Sequence, residues 1–186
     1  MSQRLFSEQG FAATTLEQIC EEVQVVPQTL LRYFDSKHRL ALAPQYDSFA
    51  EFEQEVRPAA RPLDVLSMWR AFAMRRARQA ELDPRPLRLV HDTPELRNAE
   101  FDVLRRYEDL LTECFATEAG DDEAAALDAR LLACTLVGGD HAMYVEWLAA
   151  GATGPLTERV KAVVDRAVEA FPRSVTNTGT PASAQP

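Results

Sequence analysis

Glycine is scarce in this chain, 7 in 186 residues, and lysine is scarcer still, limited to Lys37 and Lys161. Few glycines beside abundant Ala, Leu, Glu and Arg favour helices, and no sustained alternating pattern argues for a sheet. Positive charge is also short: the formal net charge is −9, which excludes a protein that grips nucleic acid by bulk charge. Cysteines number three, Cys20, Cys114 and Cys134, odd in count and far apart in apolar helical contexts. They exclude a disulfide frame and a metal site and read as reduced core residues of a cytoplasmic protein. His38, His91 and His141 are too scattered to be metal ligands, and no HExxH, CxxC or glycine-rich phosphate loop is present. An enzyme is therefore not expected, nor a cofactor. The chain has no leader segment and no apolar run long enough to span a bilayer, so no membrane partner is expected.

What is present is concentrated between Thr14 and Leu40, TTLEQICEEVQVVPQTLLRYFDSKHRL. Capping boxes are available in two registers, Thr14 to Glu17 or Thr15 to Gln18. Leu16, Ile19, Cys20 and Val23 recur at helical spacing and leave Glu17, Glu21 and Glu22 outside. Pro27 suits the first position of a helix and pushes Val26 into extended backbone. Gln24-Val25-Val26 then form a turn, and Pro27 to Phe34 form a second short helix with Leu30 and Phe34 inward. Gln28, Thr29, Arg32 and Tyr33 face outward, with donors and acceptors suited to base edges and phosphates. Two short helices joined by a tight turn have the dimensions of a device that lays one helix in the major groove of DNA. Arg4, Arg32, Lys37 and Arg39 are offset by Glu8, Glu17, Glu21, Glu22 and Asp35, so DNA binding must rest on a few placed contacts doubled by a dimer.

Leu5-Phe6, Gly10-Phe11, Thr14-Thr15, Ile19, Val25, Thr29-Leu30, Arg32-Tyr33-Phe34, Ser36-Lys37 and Leu40 hold their order and spacing over some forty residues. In that pattern the stretch resembles the DNA-binding domain of the TetR family of transcriptional regulators. The resemblance implies an all-α fold with an N-terminal three-helix domain at residues 1–44 and a helical effector-binding and dimerisation domain at 45–171. It also implies DNA contacts by Thr15, Pro27, Gln28, Thr29, Leu31, Arg32, Tyr33 and Lys37, the last at a phosphate. Family members have a basic arm and a full first helix ahead of the position of Leu5; here Met1-Ser2-Gln3-Arg4 enters that helix near its last two turns. Either the start is truncated or the arm is truly absent, and in the latter case lower DNA affinity is expected. Three further positions depart from the pattern. Gln24 stands where the family has glycine, and so must take a left-handed or otherwise costly backbone. Val26 replaces a serine cap, which forfeits about 1 kcal/mol. Leu31 replaces a tyrosine and loses its hydroxyl.

Beyond Lys37 the pattern predicts one helix to about Val56, then a break at Arg57–Pro62 and a helix over 63–81. A short helix is expected at 86–92, and a long one from Thr93-Pro94 to about Thr117. A further long helix is expected over 122–150, broken only at Gly138-Gly139, with a last one from Pro155 to Phe171. From Pro172 the tail lacks apolar content and should be disordered. Surplus apolar surface on the last two helices predicts a homodimer through Leu131, Val145, Leu148, Val160, Val164 and Phe171. Phe49, Phe52, Trp69, Phe72, Phe101, Tyr107 and Tyr144, with His141, are the expected lining of an apolar ligand pocket. The Arg32-Tyr33-Phe34 spelling, the Trp147 region and Pro155-Leu156 resemble actinobacterial members with an acyl-CoA-like ligand domain, near the regulator of the mycofactocin system. That resemblance implies an acyl chain in the cavity, with nucleotide phosphates held by some of Arg70, Arg75, Arg76, Arg78, Arg85, Arg88, Arg97, Arg105 and Arg106. The expected function is an effector-responsive repressor that releases a palindromic double-stranded operator; the alternative is a ligand-binding helical dimer with impaired or lost DNA binding.

Overall fold

Gly10, at φ +82°, closes the first helix, α1 (Ser2–Gln9), and turns the chain back so that Thr14 lies beneath it. A computed structural model describes residues 2–57, 64–119 and 123–171, and among these there is no strand. The Thr14 hydroxyl is fully buried and donates to the Gly10 carbonyl at 2.8 Å, with the Leu5 carbonyl at 3.4 Å. With Thr14 spent on this tie, the capping box forms in the second register. Gln18 N–H donates to Thr15 Oγ1 at 3.2 Å, and the Thr15 N–H donates to Gln18 Oε1 at 2.8 Å, opening α2 (Leu16–Val23). Gln24 ends α2 in the left-handed region, φ 56° and ψ 43°, as its place in the turn demands. The third helix, α3 (Pro27–Tyr33), starts at Val26 without a side-chain cap and with Pro27 in its first turn.

The single helix expected from Lys37 to Val56 is two: α4 (Lys37–Ala41) and α5 (Ala43–Val56), joined at Leu42. Pro44 is the reason, since it has no N–H to give and its ring would strike the carbonyl four residues back. Then come α6 (Val65–Leu82), α7 (Arg85–Asp92), α8 (Pro94–Ala119), α9 (Glu123–Ala149) and α10 (Leu156–Ala170). The expected breaks after Arg57 and Ala119 and the tail from Pro172 fall largely on residues outside the described ranges. No interruption occurs at Gly138-Gly139; α9 runs straight through. Gly139 serves packing instead, because a Cβ there would stand 2.6 Å from Val163 Cγ1 on α10. It lets the last two helices approach closely.

Two apolar clusters hold these elements. The first joins Leu5, Phe6, Phe11, Ile19, Cys20, Leu30, Leu40 and Leu42 of α1 to α4 with Leu89, Val90 and Leu96 from α7 and the start of α8. The head therefore rests on the body through α7. The second fills the body between α5, α6, α8, α9 and α10. Val160 and Val164 belong to it, 0% exposed, and Leu148 is buried as well. Contrary to expectation, Val160 and Val164 are covered within one chain, because α10 turns its apolar stripe inward onto α6 and α9, and Leu148 of α9 packs into the same core. Phe171 is also packed against this core. Leu131 and Val145 do remain at the surface, and they share an uncharged outward face of α9 with Leu127, Thr135, Gly138 and Ala142.

Candidate DNA-reading head and interior cavity

In the head, α3 presents a continuous exposed edge. Pro27, Gln28, Leu31, Arg32 and Tyr33 are all exposed, Tyr33 by 69%, while Leu30 is buried and anchors the helix from beneath. Arg32 lies with its guanidinium carbon 5.2 Å from the Tyr33 ring centroid, so the two side chains form one polar and planar tip. Thr29 is half-buried, and Thr15 is exposed at the start of α2. Among the described ion pairs of the head, only Arg4 takes part, to Glu8 at 3.0 Å and to Glu22 at 2.9 Å, which pins α1 to α2. Apart from a 3.5 Å contact from its Nη2 to the Tyr33 hydroxyl, Arg32 keeps its donors for another partner.

Lys37 differs from expectation. Its ammonium donates to the carbonyl oxygens of Phe11 at 2.8 Å and Thr14 at 3.0 Å, and stands 4.3 Å from the Phe11 ring centroid. Two of its three donors thus close the loop between α1 and α2, so its main task is to hold the head together. A lysine at the first turn of a helix suggests a phosphate contact in sequence; only the fold reveals the carbonyls beneath it.

The second feature lies in the body. Three adjoining cavities of about 140, 40 and 150 Å³ meet around Arg76, Leu87, His141 and Tyr144. Trp69, Phe72, Tyr107, His141 and Tyr144 line the innermost, and Phe101 lines the third with His141 and Tyr144. Phe49 and Phe52 line none of them. They are core: Phe52 stacks against Phe72 at 4.7 Å and meets Trp69 at 5.4 Å, and Phe49 meets Tyr107 edge-on at 5.1 Å. The helices here are close enough that these rings fill the space between them.

The cavity walls also hold polar groups that the aromatic pattern did not announce. Arg76 lies inside, 5.6 to 5.8 Å from the ring centroids of Phe72, Tyr107 and Tyr144. Around it stand the buried hydroxyls of Tyr107 and Tyr144 and, at the outer mouth, Gln45 Oε1, without a hydrogen-bond partner, and the Trp69 indole N–H beside the Asp140 carboxyl. Burial works against the Arg76 charge, but the surrounding Tyr107, Tyr144, Glu100 and Asp140 outweigh it. Burial pushes the Asp140 carboxyl up to about 7, with Arg76 opposing, and raises Glu100 for the same reason. It lifts the Tyr107 and Tyr144 phenols to about 12, so both remain neutral donors. His141 is lowered by burial and by Arg76, and stays neutral. The sequence carried a signal for these groups. Arg76 sits four residues after Phe72 and four before Ala80, and Asp140 four after Leu136, which puts each charge on an inward face.

Five of the eight other arginines implied for the phosphates are engaged within the chain. Arg70 pairs with Asp165 at 2.6 Å, Arg75 with Glu55 at 2.8 Å and Arg85 with Asp83 at 2.7 Å, while Arg88 and Arg97 donate to the Gly151 and His91 carbonyls. No helix among the described residues is long and apolar enough to cross a membrane.

Residues 2–43 match the profile of the bacterial regulatory proteins of the tetR family. The head is a TetR-type helix-turn-helix domain, and the whole chain has the TetR-type all-helical fold. The chain is 38% identical over 131 residues to the HTH-type transcriptional regulator TcmR of Streptomyces glaucescens, a match covering 63% of this chain and 57% of that protein. It is similar in fold to FadR of Thermus thermophilus, a repressor solved with lauroyl-CoA, with a TM-score of 0.62 at 19% identity over 100% of this chain and 95% of that one. SmeT of Stenotrophomonas maltophilia, solved with triclosan, gives 0.66 at 16% identity over 100% and 94%. The proteins named are transcriptional regulators, not enzymes.

Proposed function

We propose that this protein is a cytoplasmic homodimeric transcriptional regulator that binds a palindromic operator through α3 and releases it when a small molecule occupies the body cavity. The observation that carries the reading is the exposed Arg32–Tyr33 tip, free of any ion pair among the described residues, on a helix anchored by buried Leu30 in a head whose α1–α2 loop Lys37 braces. Gln28, Arg32 and Tyr33 are the base-edge and phosphate donors; Thr15, Pro27, Thr29 and Leu31 complete the contact surface. A net charge of −9 makes the binding depend on a few contacts in each of two heads, so it should be strongly salt-dependent only at the operator. Residues 1–44 act as the reading head and residues 45–171 as the effector and dimer domain.

The outward face of α9, with Leu127, Leu131, Thr135, Gly138, Ala142 and Val145, is the proposed dimer surface. It carries no charge and leaves Leu127 60% and Leu131 43% exposed, which favours burial against a second copy. A two-fold axis there would hold two heads at a fixed spacing, as a palindrome requires.

Communication runs through α7 and α5. Pro86, Leu87 and His91 of α7 face the cavity while Leu89 and Val90 of the same helix belong to the head cluster. On α5, Pro44, Gln45 and Ser48 face the cavity just after Leu42, which packs in the head. An effector that binds one arrangement of these helices better than the other shifts the population between operator-fitting and non-fitting dimers. An acyl-CoA-like effector is the reading drawn from the sequence, and FadR was solved with such a ligand. The proposal is tested by capturing genomic fragments with the purified chain at low salt. Enrichment of a two-fold symmetric site, lost on Arg32→Ala, supports it; enrichment of no site overturns it.

A further inference from the structure

The interior cavity has a charge in it, and that charge has no partner. None of the ion pairs or hydrogen bonds of the described residues uses the Arg76 guanidinium, although Arg70, Arg75 and Arg85 on the same or the next helix are all paired. A half-buried guanidinium left unpaired is costly, and so is each buried hydroxyl or amide oxygen without a partner around it. Three such groups line the cavities that Arg76 shares: the Tyr107 and Tyr144 hydroxyls and Gln45 Oε1. A saturated acyl chain would satisfy none of them. Water can serve them in the empty protein; the apolar wall common to all three cavities beside Arg76 is Leu87 and the Tyr144 ring, which offers a flat molecule a face to lie on.

We infer that these adjoining cavities take a compact aromatic ligand bearing an ionised oxygen, a phenolate, enolate or ring carboxylate, which pairs with the Arg76 guanidinium while the ring system lies against Tyr144 and Leu87. The inference rests on the effector-responsive reading above and names the class of effector. A guanidinium binds an oxyanion with two parallel hydrogen bonds, and the neutral Tyr107 and Tyr144 hydroxyls can donate to the same oxygens. A further hydroxyl on the ligand finds an acceptor in Gln45 Oε1 at the α5 end of the cavity, next to the head. Glu100 and Asp140 also face this space, and both are held toward their protonated forms by burial, which reduces their competition with a bound anion.

The test uses 3-hydroxy-2-naphthoate as the anionic aromatic probe, its methyl ester as the uncharged analogue of the same shape, and lauroyl-CoA as the acyl probe. Binding to the DNA-free full chain is followed by calorimetry and by quenching of tryptophan fluorescence, with Trp69→Phe assigning the signal. The acid is expected to bind at least tenfold more tightly than its ester. Arg76→Met should erase that preference by weakening the acid at least tenfold more than the ester, and circular dichroism checks that the variant folds. The comparison of acid with ester in the unaltered protein does not depend on any variant folding. Equal binding of acid and ester, failure of the acid to bind, or binding of lauroyl-CoA with no dependence on Arg76 overturns the inference. Because these measurements contain no DNA, a regulator that finds its operator but fails this test loses only the ligand class assigned here.

Discussion

The Lys37 ammonium sits 4.3 Å from the centre of the Phe11 ring and donates to the Phe11 carbonyl at 2.8 Å, bracing the loop before the reading helices. Loss of these charge-assisted bonds on Lys37→Met is expected to cost the head on the order of 1.5–3 kcal/mol. Thermal unfolding should shift to lower temperature. At a temperature where the variant remains folded, the salt slope of its DNA binding should match that of the unaltered chain, whereas Arg32→Ala should flatten it by about one phosphate contact. A flattened slope for Lys37→Met with an unchanged melting temperature would return the lysine to the phosphate role.

Gln24 holds a left-handed backbone at φ 56°, and Val26 begins α3 with no side-chain hydrogen bond to its first turn. Gln24→Gly is expected to stabilise the protein by about 1 kcal/mol by removing the left-handed strain, and Val26→Ser by about 1 kcal/mol by supplying a cap. Both are read by chemical denaturation. Val26→Ser should also tighten operator binding by adding a hydroxyl donor at the helix start.

Leu131→Arg or Val145→Arg on the outward face of α9 should convert dimer to monomer in sedimentation analysis while leaving the melting of each subunit's core nearly intact. Val160→Ala and Val164→Ala act on the opposite problem. They are fully buried within one chain, so they should destabilise it by roughly 1–3 kcal/mol without selectively altering association.

Stability should depend on pH through Asp140. Its carboxyl is pushed up to about 7 in the folded protein, so between its ordinary range near 4 and about 7 the folded state holds a proton that the unfolded chain has released. That contribution is complete at low pH and is lost as pH rises toward 7. Glu100, also raised, adds a slope of the same sign, and His141, lowered, adds one of opposite sign; Arg76, Tyr107 and Tyr144 keep their charge states throughout. Comparison with Asp140→Asn isolates the aspartate: the stability of the native chain relative to the variant should fall by on the order of 1 kcal/mol per pH unit across this window. A difference that is flat with pH would mean that Asp140 is ionised in the folded protein.

Local rules carried the reading of the head. The turn at Gln24 and the bare cap at Val26 follow from neighbouring residues alone, and the structure has both. What sequence left open between Thr14 and Thr15 was decided by burial of Thr14 under α1, a tertiary fact. Periodicity identified the α10 stripe of Val160 and Val164 but could not tell which neighbour covers it, since a stripe facing its own bundle and one facing a second chain look alike. The aromatic residues were rightly sorted into the body, yet composition could not separate ring-packed core, Phe49 and Phe52, from cavity wall, Trp69 and Tyr144. Arg76 was masked by the abundance of arginine around it, and only the three-dimensional placement of its neighbours leaves it unpaired.

The central claim, that Pro27–Tyr33 reads DNA, is tested most directly by sequencing the genomic fragments retained by the purified chain beside those retained by the Arg32→Ala, Tyr33→Ala double variant. The account predicts a short set of fragments sharing a two-fold symmetric sequence, absent with the double variant. Recovery of the same fragments by both proteins, with no symmetric sequence in common, would contradict it.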